Sequence, residues 1–380
     1  MKGILHNIKS PSFKSDGRLQ KWLQQLEKRG FYSKVLIIED TNREYKESFG
    51  TSNIIGEKLF FRTWFKQRKG YLIKVPEYLT KTLNFINKEK FDVIVFHDVQ
   101  QYLNILYYLV FKKRRSFKIV WDLHELPHTF LLKNRFTKQI IRFILNSVDI
   151  VVYTNEERRD FIRSNIPNVK EKKFFILNNF PDKNFILSEK NTITIPGINN
   201  DKPYFLWLGA GLAARNFDTF LKAFECFDED FNLVILGKVE DKYKRVIEKL
   251  KSRNKVFNKF VNQEEIIKYI DNAYLSVVLY NSTSANNLYC EPNRLYQLVS
   301  RNVPVVVGNN PTMANLINKF HLGKVLDDDG KNVEELVVAI KNIINNHQLY
   351  VDNSRNIDYT SLFSWEHQVN EIIDYLQSKK

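Results

Sequence analysis

The sequence predicts an α/β protein of two units, each a mainly parallel sheet covered by helices on both faces. Three observations lead there. Short, wholly apolar runs alternate with amphipathic helical patterns in two separate passages. Polar residues gather where the runs end, which is the edge at which open parallel sheets bind ligands. A chain of 380 residues is too long for one ordinary core and fits two.

In the first passage an amphipathic segment from Leu19 to Arg29 precedes the run Val35–Ile38. Lys90–Phe96 is a second strand, ending at His97-Asp98, and Phe117–Trp121 a third, ending at Asp122. Asp149–Tyr153 ends at Thr154, and Phe174–Leu177 at Asn178-Asn179. A polar stretch from Ser188 to Pro203, with Pro196 and Gly197, reads as a linker. The second passage holds the strands Tyr204–Leu208, Phe231–Leu236, Leu275–Leu279, Val305–Val307 and Lys324–Leu326, with helical patterns such as Phe217–Phe227 and Val333–Ile344 between them. The expected division is residues 1–190, residues 200–362 and a terminal helix over 363–380.

Two cysteines, Cys226 and Cys290, make no disulfide framework and suit a reducing cytoplasm. No run approaches the roughly 18–20 apolar residues of a membrane span, and the four-residue apolar core around Ile4 makes no signal peptide. The net charge of +15 is polarised: residues 1–190 hold 36 Lys/Arg against 20 Asp/Glu, the rest 22 against 23. One domain therefore faces an anionic partner. No nucleic-acid module is visible, so nucleic acid is not expected. Three basic stretches interleave with aromatics, namely Phe60–Lys74, Phe111–Lys118 and Lys133–Arg142. They suit either a solvated face or the anionic inner face of a cell membrane.

The run Glu291-Pro292-Asn293-Arg294 to Val307 reads as loop, helix and buried strand. Pro292 suits a first helical turn, Asn302 a left-handed helix end, and Arg294 a fixed cation beside an anion such as a nucleotide diphosphate. After the strand Tyr204–Leu208 comes Gly209-Ala-Gly211-Leu-Ala-Ala214, a close-approach loop, with Arg215 following as a second cation. The same letters match a dinucleotide fingerprint, but the next strand ends in Gly237-Lys238 rather than in the acid that fingerprint needs. His124, between Asp122 and Glu125, has too few spaced partners for a metal, and Asp327-Asp328-Asp329 reads as a solvated turn, so no metal is expected.

Taken together, these segments resemble GT-B glycosyltransferases of family 4, the "group 1" family. Asp16-Gly17-Arg18, His97-Asp98, Asp122-Leu123-His124-Glu125, Ser147-Val148-Asp149 with Thr154-Asn155-Glu156, Asn178 to Asp182, Gly209 with Arg215-Asn216, and Pro292-Asn293-Arg294 occur in the family's order and spacing. The resemblance implies two Rossmann-like domains facing each other across a cleft, with the last helix crossing back to the first. It puts Gly209, Gly211, Arg215, Lys238, Pro292, Asn293, Arg294 and Gln297 on the donor, Asp16, Arg18, His97 and Asp98 on the acceptor side, and His124 at the transferred sugar. Two departures stand out. Gln297 replaces the usual ribose-binding Glu, and Tyr289 falls where the first of two paired Glu belongs, leaving Glu291 as its substitute at the catalytic centre.

The expected activity is metal-independent, retaining transfer from a nucleotide-sugar, UDP-linked, to a cell-surface glycan or lipid-linked acceptor. No cofactor is required, and the place is the cytoplasm or its membrane face. Two rival readings are a non-catalytic sugar-nucleotide-binding partner subunit, motivated by Gln297 and Tyr289, and a sugar-nucleotide epimerase.

Overall fold

The computed structural model describes residues 3–65, 70–88, 90–111, 116–261 and 263–378. The parts of the basic stretches at 66–69 and 112–115 lie outside them. Two compact units divide the chain: Met1–Asn178 with Glu366–Lys380, and Asn179–Trp365.

The first unit is built on eight strands, β1 (Gly3–Ser10), β2 (Tyr32–Glu39), β3 (Tyr45–Phe49), β4 (Ser52–Gly56), β5 (Val93–His97), β6 (Lys118–Leu123), β7 (Ile150–Tyr153) and β8 (Phe174–Ile176). Their order is β3-β4-β2-β1-β5-β6-β7-β8, parallel except for the β3–β4 hairpin. The second holds β9 (Tyr204–Leu208), β10 (Asn232–Leu236), β11 (Val256–Lys259), β12 (Leu275–Val278), β13 (Val305–Val307) and β14 (Gly323–Val325), in the order β11-β10-β9-β12-β13-β14, all parallel. Each central strand is buried on both faces, which is why it reads as an unbroken apolar run. Under β9, Trp207 stacks on Phe220, and Phe217 closes the same cluster.

Three features depart from the sequence expectations. The polar residues His6 and Asn7 break the apolar pattern of β1, yet this strand is central and both residues are fully buried. Charged or polar positions likewise hid β3, β4 and β11. The division falls at Asn178, before the polar stretch. Phe180 packs edge-on against Tyr296 and Phe363, with centroids 4.8 and 5.2 Å away. Buried Arg301 binds Asp271 at 2.6 Å and the Ser188 carbonyl at 2.7 Å, so residues 179–190 belong with the second sheet. The terminal helix Trp365–Ser378 is counted with the first unit, where Asn370 pairs with Gln25, Asp374 with Arg29, and Tyr375 packs on Phe175. Among the described residues no helix is long and apolar enough to cross a membrane.

Candidate active site

In the second unit β9 ends at Leu208, and the chain turns at Gly209 with φ +113°, a region that glycine enters without strain. A side chain is excluded there for a second reason. A Cβ on Gly209 would lie 2.6 Å from one Arg215 guanidinium nitrogen and 2.7 Å from one of Arg294. The two cations therefore converge on one glycine. Arg294 sits on the short helix Asn293–Val299 and donates from Nη1 to the Leu208 carbonyl at 2.7 Å. Its Nε and Nη2 are buried and have no hydrogen-bond partner among the described residues. Burial, with Arg215 adding its charge, brings its pKa down to about 10, so it stays protonated at neutral pH. Tyr280, after β12, lies under both guanidinium groups at 4.9 and 5.3 Å and helps to hold them.

The other donor-side candidates are placed as follows. The Gly211 N–H donates to the Lys238 carbonyl at 2.9 Å, and a Cβ on Gly211 would meet the Phe217 ring. Lys238 itself is exposed at the end of β10, where a dinucleotide site would need an acid. Pro292 stands just before the helix rather than in its first turn, Asn293 is exposed, and Asn302 takes the left-handed conformation (φ 66°). Gln297, half-buried, lies one turn along the helix from Arg294, and its amide makes no hydrogen bond among the described residues. Glu291 is turned inward. Its carboxylate accepts from the Tyr296 hydroxyl at 2.7 Å and the Asn179 N–H at 3.1 Å, which braces the loop. The aspartate turn is not solvated throughout either. Asp329 is buried, accepting from Ser282 and pairing with Lys331.

The first unit gathers its polar groups at the ends of β1, β5 and β6. Asp122 is fully buried. Its Oδ1 accepts from Arg18 at 2.9 Å, and its Oδ2 from Trp22 at 3.1 Å and His124 at 2.9 Å, with His97 Nδ1 at 3.2 Å. His97 Nε2 meets His6 Nδ1 at 2.9 Å. Burial alone would raise the Asp122 carboxyl, but Arg18 and His124 hold it well below the usual carboxylate range. Burial pushes His124 down, yet Asp122 outweighs it and the net shift is upward. His6 and His97 are pushed down, chiefly by burial.

This geometry sorts the acceptor-side candidates. His124 alone of the cluster reaches the surface, with its side chain 20% exposed. Arg18 and His97 are buried behind Asp122 and act through it. Asp16 caps the helix Gly17–Lys28 through the Leu19 N–H and accepts from Ser10. Asp98, at φ 71°, accepts from the Val99 and Glu125 N–H groups. Both are scaffold. His97, Asp122 and His124 bring three ligand-type atoms within 4.8 Å of one another, the one such group among the described residues. Asp122 also accepts from Arg18 and Trp22. The sequence reading missed His6, Trp22 and Tyr280. A histidine within the apolar Ile4–Ile8 run was the available signal for the first.

Two parallel-sheet units of this topology define the GT-B class of α/β proteins, and solved structures agree. The sucrose-phosphate synthase of Thermosynechococcus elongatus is 13% identical, with a TM-score of 0.75 over 100% of this chain and 99% of that one. WaaG, a glycosyltransferase involved in lipopolysaccharide biosynthesis, is 13% identical with a TM-score of 0.69 over 98% and 99%. The E. coli structure described as trehalose-6-phosphate bound with UDP-2-fluoro glucose is 9% identical with a TM-score of 0.69 over the full length of both chains. No curated protein matches the chain at a significant level. Residues 188–358 match the family described as "Glycosyl transferases group 1". The chain has the GT-B fold, and the group 1 match lies within its second unit.

Proposed function

We propose that the protein moves a sugar from a UDP-linked donor to a lipid-linked or cell-surface glycan acceptor, with retention of configuration and without a metal. The observation that carries the donor half is Arg294: a buried guanidinium with two unpaired donors, beside a second cation, over a glycine. A diphosphate supplies the missing acceptors and balances both charges. At the reacting centre the bond from C1 of the sugar to the diphosphate breaks, and a bond from C1 to the acceptor oxygen forms on the same face. The acceptor's hydroxyl proton passes to the departing phosphate oxygen. Arg294 and Arg215 neutralise the charge that develops there. Gln297 receives the ribose hydroxyls, and Lys238 stands at the loop's edge. His124, oriented by Asp122, contacts the transferred sugar.

The first unit's charge and its exposed Phe60, Trp64, Leu72, Phe136 and Phe143 support work on the cytoplasmic membrane face. Glu291, engaged by Tyr296 and Asn179, supplies no free carboxylate for an epimerase. Gln297 favours the second reading, a non-catalytic partner subunit. The test is UDP release from a panel of UDP-sugars, with and without a lipid-phosphate or glycan acceptor. Acceptor-dependent release is expected. Binding without release under every condition would support the partner reading.

A further inference from the structure

A cavity of about 1320 Å³ lies within the first unit. Val99 and Gln100 directly follow His97-Asp98, and both line it. The cavity combines two chemistries. Lys9 at the end of β1, Arg62 on the helix Phe60–Trp64 and Lys74 on the helix Tyr71–Lys88 bring three cations to it. Asp40 is the single carboxylate of the lining and is already paired with Arg62 at 2.5 Å. The Lys9 ammonium makes no hydrogen bond or ion pair among the described residues. Its pKa is lowered, first by burial and then by Arg62, with Asp40 offsetting them only in part. The remaining wall is apolar, with Val75, Leu79 and Leu103 along it. The same two helices carry Trp64 and Leu72 on the outside, 73% and 87% exposed.

A small phosphate would use the cations and leave the apolar wall wet. A neutral lipid would fill the wall and leave three charges crowded. We propose that the cavity binds a phosphate-bearing amphiphile, with Lys9, Arg62 and Lys74 on the phosphate and the Val75–Leu79–Leu103 wall along the chain. The proposal rests on the glycosyltransferase reading and names its acceptor as a lipid phosphate. Val99 and Gln100 put the cavity on the turn that follows His97-Asp98 in the chain. Trp64 and Leu72 then enter the headgroup layer of the membrane from which the amphiphile comes.

Titration calorimetry on the full chain tests this with dodecyl phosphate below its micelle concentration, inorganic phosphate and dodecyl maltoside. Dodecyl phosphate is expected to bind at least about 10-fold more tightly than either control, because only it satisfies both halves. Lys9→Gln, at an accessible side chain, is expected to weaken it about 10-fold, and Leu103→Asn to weaken it as well. Equal binding of inorganic phosphate would mean a free-phosphate site. Equal binding of dodecyl maltoside would mean an apolar patch, and either result overturns the proposal, as does an unchanged Lys9→Gln. UDP affinity measured on the same samples separates the two claims. Retained UDP binding without amphiphile binding removes this site alone, whereas loss of both strikes the glycosyltransferase reading itself.

Discussion

The charged clusters of the two units are built on opposite plans. In the first, Asp122 is surrounded by its own counterions, with Arg18 at 2.9 Å, two imidazoles and an indole N–H. In the second, Arg215 and Arg294 converge on Gly209, and among the described residues two buried donors of Arg294 are left open. A self-paired cluster is rigid before any ligand arrives, and suits a group that must be aimed. An unpaired pair of cations is incomplete until an anion comes, and suits a group that must bind. The difference predicts opposite responses to removing one member.

The largest expected effect is on turnover. His124→Ala should lower kcat about 10²–10³-fold while leaving UDP affinity unchanged, the loss typical of a contact made at the reacting centre. Steady-state kinetics with a UDP-sugar check this, and an unchanged kcat returns His124 to a structural role. Asp122→Asn should destabilise the first unit by about 3–5 kcal/mol, because it leaves Arg18 buried without its partner. Denaturant titration measures it, and a loss below about 1 kcal/mol would mean that the cluster is not self-paired.

Acidification should reveal the same cluster. His6 and His97 have lowered folded pKa values, so below about 6.5 the unfolded chain takes up protons that the native one refuses, and stability falls. His124, raised, works the other way. Its contribution is full below about 6.5 and is lost as pH rises through its folded value. Asp122 adds a further loss as pH falls below about 3.9 towards its depressed value. With two histidines against one, the unfolding midpoint should drop between pH 7 and pH 5, and a flat or rising profile would contradict the buried network. The smallest effect belongs to Gln297→Glu. If the ribose lies on this side chain, a carboxylate should strengthen UDP binding by less than about 10-fold. Unchanged affinity would move the ribose elsewhere.

The second unit was far more legible in the sequence than the first. Its strands are continuous apolar runs, and the meeting of Arg215 and Arg294 at Gly209 was legible because a close-approach loop needs glycine. The bonds of Glu291 to Tyr296 and Asn179 carried no mark in the sequence. In the first unit the central strand was lost for a physical reason. His6 and Asn7 are buried polar residues whose partners, His97 and Gln101, lie about ninety positions on, beyond the reach of periodicity. The same remoteness concealed the bonds of Arg18 and Trp22 to Asp122. Tyr280 was missed because an aromatic after a buried strand carries no mark of the cations above it.

The measurement that bears most directly on the donor site is a paired experiment on Arg294→Met. Calorimetric titration with UDP should show affinity reduced about 10- to 100-fold, the loss of a charge-assisted hydrogen bond worth roughly 1.5–3 kcal/mol. Denaturation without ligand should show stability unchanged or raised, because an unpaired buried cation has been replaced by an apolar chain of similar length. UDP bound as tightly as by the parent, or a destabilisation like that expected for Asp122→Asn, would contradict an anion site built from unpaired cations.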